Sequence, residues 1–487
     1  LIINHLIEYG AGNRGGNMTP PTQHAIVLGG SITGLLAARV LSDHFGQVTV
    51  IERDALPSAP VARKGVPQSR HLHGFLAGGV NALAGLFPGF VVGAVARGAR
   101  HVDVGRMGTW YIGGVAFVNF DARLHGLLMS RLALEAYVRE LVRTRTNVTF
   151  SERTRACGLV GSRERVEGVR VSQVEQAEAA GETCLHADLV IDASGRGSRA
   201  THWLAELGVA QPSEETVRAD ITTSTCTIRR RPEHLGGAHA FIYSPTPPGL
   251  TSGAALAIED DRYIVAMTSY LDAPAPRTYD EMVSFARALP VRGLDSLLES
   301  AEPLSEVVQF HERESRRRRF ERMRSFPAGM LVMGDAFASF NPSYGQGITV
   351  AAKQAQLLDT WLGGQMRGGA RAFFRGAARI VDVPWSTIVS GDLQWPGVRG
   401  QRSFAASLLN GLFRRLVRAS AHDHDTARAL LAVLHLVAPP ATLASPALLY
   451  RALVHGKEAA PRLLPDHNQV DQAMARPLGG APARDVP

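Results

Sequence analysis

His24-Ala-Ile-Val-Leu-Gly29-Gly30-Ser31-Ile-Thr-Gly34-Leu-Leu-Ala-Ala-Arg-Val-Leu41 is the stretch on which the fold turns. A short apolar run predicts a buried strand, the glycines predict a tight turn, and the Ala/Leu-rich continuation predicts a helix. Val48-Thr-Val-Ile-Glu52 follows as a second strand, which completes a βαβ unit. Gly29 and Gly30 permit the turn, Gly34 permits close helix packing, and the helix N-terminus offers free N–H groups and positive potential to a pyrophosphate. Ser31 stands where such turns usually carry glycine, yet it is small enough to keep the approach open. Glu52, 23 positions after Gly29, is placed to accept ribose hydroxyls, with Arg53 beside it at the same strand end.

The 487 residues are 45% apolar and 20% charged, with 49 Gly and 27 Pro, which excludes a disordered or fibrous chain. Lys and Arg exceed Asp and Glu by 52 to 44; a charge of +8 on this length calls for neither nucleic acid nor membrane. Cys157, Cys184 and Cys226 cannot all pair and lack metal-ligand spacing, so they read as thiols in a cytoplasmic protein. No run approaches ~18 uninterrupted apolar residues, so no transmembrane segment is expected. Residues 1–17 precede the first methionine and read as a tag or upstream segment; positions 1–21 are set outside the fold.

Further along, segments near Val148–Phe150, Gly168–Val174 and Cys184–Ile191 read as antiparallel strands that return to the main sheet and end in Asp192-Ala-Ser-Gly-Arg-Gly-Ser198. Pro/Gly-punctuated strands from about Gln211 to Phe326 predict a second, sheet-rich domain. The nucleotide-binding pattern then resumes in Gly334-Asp-Ala-Phe-Ala-Ser-Phe-Asn-Pro-Ser-Tyr-Gly-Gln-Gly347, an acid at a strand end followed by a Gly-x-Gly turn entering a helix. Asp335 is placed to hold a ribityl or ribose hydroxyl, and the N–H groups after Gly345 and Gly347 can face a phosphate or a ring edge. Two separated anion sites suit one long cofactor.

Together these pieces closely resemble the FAD-dependent monooxygenases of the aromatic-hydroxylase class. Within that class, Arg63-Lys-Gly-Val-Pro-Gln-Ser-Arg-His-Leu-His73 and Phe340-Asn-Pro-Ser-Tyr-Gly345 are most similar to the bacterial polyether-type polyene epoxidases. The resemblance covers about residues 22–400. It implies an α/β protein with a discontinuous Rossmann-like FAD domain (22–85, 125–210 and 327–385), a sheet-rich substrate domain (86–124 and 211–326) and a helical C-terminal region and tail (386–487). It implies pyrophosphate on Gly29, Ser31 and Gly34, ribose on Glu52, cofactor phosphates on Arg131, the ribityl side on Asp335, and the isoalloxazine pocket at Gly345 and Gly347. Three positions depart from the family pattern: Thr349 replaces an asparagine, Gln354 replaces an acid, and Ser194-Gly195 replaces an Asp-Gly pair.

The implied reaction transfers oxygen from a flavin C4a-hydroperoxide to an electron-rich, mostly apolar biosynthetic intermediate, with alkene epoxidation preferred to aromatic hydroxylation. NADPH or NADH would reduce the flavin, directly or through a flavin reductase. No general base can be named. A reductase of isoprenoid double bonds and a catalytically silent FAD-binding module are the competing readings. Flavin halogenases carry a Trp-rich motif and an active-site lysine that Gly108-Thr-Trp-Tyr-Ile-Gly113 does not reproduce.

Arg63, Lys64, Arg70, His71 and His73 are candidates for substrate or cofactor electrostatics. His71 and His73 lack a third ligand, so no metal site is expected. Trp110 and Tyr111 read as a substrate wall or as ordinary core. Arg316 to Arg319, with Glu312, Glu314 and Glu321 close by, read as a solvated or salt-bridged face, not a nucleic-acid site. Phe404, Leu408, Leu409, Leu412, Phe413, Leu416 and Val417 form an apolar helical stripe expected to pack on the enzyme body.

Overall fold

A computed structural model describes residues 23–117, 120–174, 181–401 and 404–455. The leading segment and the tail after Ala459 lie outside these residues.

Five parallel strands build the first sheet, in the spatial order Met330–Val332, Leu189–Asp192, His24–Leu28, Gln47–Ile51, Val148–Ser151. The chain thus starts in the middle, steps outward twice on one side, and returns to fill the other, which is the Rossmann order with its switch point beside His24–Leu28. Ala25, Ile26 and Val27 are fully buried in this central strand. The helix Ile32–Leu41 packs against the helices Arg131–Arg143 and Gly347–Gly363. Val148–Phe150 departs from expectation. It pairs in parallel with Gln47–Ile51 because its register brings Val148 opposite Val48, 100 positions earlier, a pairing no local pattern encodes.

The antiparallel reading holds for Val166–Gln173 and Thr183–His186, which form a separate three-stranded sheet with Thr154–Gly161, a strand the sequence did not mark, whereas Leu189–Asp192 pairs in parallel in the main sheet. A larger sheet of eight strands contains Glu214–Arg229, Arg262–Tyr270, Thr251–Ile258 and Ala240–Tyr243, flanked by Val308–Arg318 with Ala338–Ser339 on one side and by Gly108–Ile112 with Val115–Phe117 on the other. The helices Tyr279–Ala288 and Leu294–Ser300 cover one face, burying Met282, Leu294 and Leu297 against Phe241, Tyr263 and Val265. Among the described residues no single helix is long and apolar enough to cross a membrane.

The arginine run is salt-bridged as expected, but much of it is not solvated. Arg317 is 1% and Arg318 5% exposed. Their partners are Asp382 at 2.7 Å and Glu214 at 2.9 Å, while Arg319 binds Glu215. Strand alternation carries Arg317 inward, where its side chain lies between the large sheet and the helix Gly369–Asp392.

That helix is fastened by an aromatic cluster. Phe374 stacks on Phe320 with centroids 5.3 Å apart and meets Phe326 edge-on at 4.8 Å, with Phe337 and Phe373 completing the group. Phe374 is fully buried, so Phe374→Ala should cost about 3–5 kcal/mol of stability through lost burial and the cavity left behind. Chemical denaturation followed by tryptophan fluorescence measures it; a midpoint unchanged from the parent would show that the cluster does not fasten the helix.

Candidate functional site: a flavin cavity at the switch point

The first turn forms where sterics leave only glycine. Gly29 has φ +103°, and a Cβ there would lie 2.7 Å from the Ala193 carbonyl oxygen. At Gly34 a Cβ would lie 1.7 Å from the Gly29 oxygen. Strand end and helix start are therefore pressed together, and the helix N-terminus, with no acidic side chain in its first turn, points its free N–H groups into the crevice.

Glu52 closes the crevice floor. Its Oε2 accepts from the Gly30 N–H at 2.8 Å and pairs with Arg63 at 3.0 Å, and its Oε1 accepts from the Asp54 N–H at 3.0 Å. A carboxylate has roughly four acceptor positions. Three are taken, so the free one can receive a single hydroxyl, where the sequence suggested room for two. Arg63 also binds Glu135 at 2.9 Å and Asp54 at 3.3 Å. With three carboxylates around it, Arg63 organises the crevice instead of standing free for a phosphate. Lys64 and Arg70 are exposed and outside the cavity lining, so neither stands at the groove itself, although the Arg70 charge still reaches the cavity-lining His71. Arg53 does line the cavity.

Arg131 begins its helix behind the N-cap Ser130 and is 7% exposed. It donates to the Ser31 hydroxyl at 3.2 Å and faces His73 Nε2 at 3.3 Å, and its Nε has no protein partner. Arginine only donates, so His73 Nε2 accepts and the ring proton sits on Nδ1, which donates to the His71 carbonyl at 2.9 Å. Burial first, then the Arg131 charge, push His73 down to about 3. Burial takes His71, bonded to Thr225 at 2.8 Å, down to about 4, with Arg70 adding to the shift. Both rings are neutral near pH 7, and both line the cavity.

On the opposite side, Gly334 sits at φ +63° and Asp335 faces the cavity with no hydrogen-bond donor on its carboxylate among the described residues. Gln354 explains its own departure from the family pattern: fully buried, its Oε1 accepts the Gly334 N–H at 2.7 Å and fixes the turn that presents Asp335. Thr349 packs instead against Gly79 of the helix Ala77–Leu86. Asp192 accepts from the Ser194 N–H at 2.9 Å and from the hydroxyls of Ser194 and Ser198, so the Ser194-Gly195 variation is held in place by its own strand end. Asn341 and Tyr344 both bind the buried Asp392, at 3.0 Å each, and this anchors the loop before Gly345 and Gly347. Burial pushes Asp392 up to about 6 against those hydrogen bonds.

Gly29, Glu52, Arg131, Asp335, Gly345 and Gly347 line one cavity of about 1360 Å³. It extends from the Gly29 turn past Asp335 and Gly345–Gly347 into a chamber walled by Trp110, Ile112, Ile242, Phe413, Val417 and Leu434. Tyr111 does not line it: alternation along Gly108–Ile112 sends Trp110 to the cavity and Tyr111 into the core with Phe241 and Tyr243. The C-terminal stripe packs on the body as expected, Val417 in a core with Val115 and Phe117 and Leu416 with Leu448 and Ala452, and Leu412, Phe413, Leu416 and Val417 also form cavity wall; the side chains of Phe404, Leu408 and Leu409 lie outside the described residues. His435, which no sequence signal marked, sits 5.7 Å from Trp110, ring to ring, and accepts the Ala77 N–H at Nδ1.

The residues fit an extended dinucleotide. A glycine cradle, a helix N-terminus, an orphaned Arg131 Nε, an open acceptor on Glu52, an unpartnered Asp335 and a second glycine turn succeed one another along one groove. Residues 123–373 match the family model described as the FAD binding domain, more than half of the chain. The chain belongs to this FAD-binding family, a class of flavin-dependent oxidoreductases. Protein Rv3254 of Mycobacterium tuberculosis (strain ATCC 25618 / H37Rv) is 34% identical over 393 residues, covering 78% of this chain and 82% of that protein. Among solved structures, the flavin-dependent brominase Bmp2 superposes with a TM-score of 0.60 at 13% identity, over 88% of this chain and 98% of Bmp2. The Diels-Alderase PyrE3 of pyrroindomycin biosynthesis gives 0.58 at 15% identity over 85% and 81%. PqsL of P. aeruginosa in complex with 2-aminobenzoylacetate gives 0.53 at 16% over 84% and 99%. At such identities the likeness is one of fold, and these neighbours carry different chemistries on it.

Two variants test the cofactor groove. Gly34→Val should abolish FAD retention, because the turn cannot close. Glu52→Gln should weaken FAD binding roughly 10- to 150-fold, the value of a charge-assisted hydrogen bond of about 1.5–3 kcal/mol. Titration of apoprotein with FAD, read by flavin fluorescence, decides; parental affinity in both would place the cofactor elsewhere. Asp335→Asn should lower FAD occupancy in the same assay, and full occupancy with normal flavin reduction would remove Asp335 from the groove.

Proposed function

We propose that this protein is an FAD-dependent monooxygenase acting on an electron-rich, mostly apolar small molecule, with an alkene preferred to an aromatic ring. The observation that carries the reading is the unbroken cavity, polar and glycine-lined where FAD fits and largely apolar beyond Gly345–Gly347. Bound FAD would supply the redox chemistry, taking two electrons from NADH or NADPH, directly or through a flavin reductase, and activating molecular oxygen.

The chain's own contribution is placement and exclusion of water. Gly29, Gly30, Ser31 and Gly34 hold the pyrophosphate, Glu52 and Arg53 the adenosine side, Arg131 the phosphates, and Asp335 the ribityl chain. Gly345 and Gly347 present the helix N-terminus Gly347–Gly363 to the ring edge, where its dipole favours negative charge. Trp110, Ile242 and Phe413 displace water from the chamber and leave a π system as its natural occupant. The histidines on its rim add no charge: burial also takes His435 down to about 4, so it is neutral beside Trp110. The similarity of Gly65–His73 and Asn341–Gly345 to the polyene epoxidases supports the choice of an alkene.

With reduced FAD, a polyene substrate and labelled molecular oxygen, one labelled atom should enter each product molecule. A product labelled only from water, or a saturated product without added oxygen, would overturn the monooxygenase reading, the latter in favour of a reductase. A labelled phenol would keep the class and change the substrate.

A further inference from the structure

Oxygen insertion driven by NAD(P)H consumes one proton from solution in each turnover: substrate, O₂, NAD(P)H and H⁺ give oxygenated substrate, NAD(P)⁺ and water. The sequence offered no residue to pass that proton. Strand alternation along Val308–Arg318 brings Phe310 and Glu312 to the cavity while Gln309, His311 and Arg313 face solvent. Glu312 is 8% exposed and stands between the two loops that frame the flavin groove. On one side Phe310 meets the His71 ring at 5.6 Å; on the other the Ser315 hydroxyl accepts the Asn341 N–H at 2.8 Å.

Arg196 fixes the carboxyl. It pairs with Glu312 and donates to the carbonyls of Phe340 at 2.7 Å and Glu314 at 3.2 Å, so its guanidinium bridges the Asp192–Ser198 loop to the second glycine turn. We propose that Glu312 is the proton-exchanging group of the flavin cavity, held in register by Arg196. In turnover the Glu312 O–H bond breaks as an O–H bond of the departing water forms, and solvent returns a proton to the carboxylate. This rests on the FAD placement proposed above, but not on the choice between alkene and ring.

The charges around Glu312 agree with the role. Burial is the largest influence and raises it, Arg196 and a backbone hydrogen bond lower it, Asp335 raises it and Arg316 lowers it; the balance stands at about 7. The nearby His71 is neutral in this range. Protonated and ionised forms therefore coexist near neutral pH, which suits a group that must both give and regain a proton.

The test needs no substrate. FAD-loaded protein titrated from about pH 5 to about pH 9 should show its visible flavin bands shifting with a midpoint near 7, together with loss of an infrared band of a protonated carboxyl. Glu312→Gln should retain FAD and lose both signals. Arg196→Gln should move the midpoint upward by about one unit or more, since a neighbouring cation is removed. A titration near 7 that survives in Glu312→Gln, or a midpoint unmoved in Arg196→Gln, would overturn the proposal. Failure of the unmodified protein to bind FAD would instead overturn the cofactor placement on which it rests.

Discussion

Everything at this site depends on how closely the helix Ile32–Leu41 approaches its own strand. At Gly34 even a methyl group would lie 1.7 Å from the Gly29 oxygen, and Gly29 itself presses on Ala193 of the neighbouring strand. The contact does two things at once. It packs the helix on the central strand, and it leaves the helix N-terminus open at the carboxyl ends of His24–Leu28 and Leu189–Asp192, the switch point where α/β sheets bind ligands. The remaining features of the cavity are arranged around that opening.

The first of these is a run of alternating charge. Glu52, Arg63, Glu135 and Arg131 follow one another through contacts of 3.0, 2.9 and 3.7 Å, all about nine-tenths buried at the side chain. Buried charges are tolerated when each has a partner and its remaining hydrogen bonds are met. Glu135 meets that condition within the protein, also accepting the Ser31 hydroxyl at 2.8 Å, and Glu52 meets it except for one acceptor position left open. Arg131 does not, since its Nε is unpartnered. The chain of charges thus ends on a cation that lines the cavity and keeps one buried donor unmet within the protein.

Legibility in the sequence followed the range of the interaction. The first turn could be read because sterics act between neighbours and permit only glycine at Gly29 and Gly34. The second turn could be read for the same reason, Gly334 and Gly345 both having positive φ. What escaped depends on distant partners. Val148–Ser151 joins the main sheet through a strand 100 positions away. Arg318 is buried because Glu214 reaches it across 104 positions, and Arg63 turned inward because Glu135 lies 72 positions on. Trp110 and Tyr111 could not be told apart without the pleat that sends one to each face. Glu312 escaped as one acid in a charged run, although the alternation of inward and exposed residues from Val308 to Arg313 places it on the inner face.

The division of the cavity between family and chain says where its individuality lies. The family match ends at residue 373, and it contains Arg131, Asp192, Asp335 and both ends of the second glycine turn. Leu412, Phe413, Val417, Leu434 and His435, which enclose the far chamber, all lie beyond it. The link between the two parts is Asp392: fully buried at the end of its helix, it binds Asn341 and Tyr344 of the flavin loop while Gln346 of that loop donates to the Leu434 carbonyl at 3.3 Å. The chamber wall is thereby tied to the second glycine turn. A change in the C-terminal helices can reshape the chamber without touching the glycine cradle, because the two are built from separate parts of the chain.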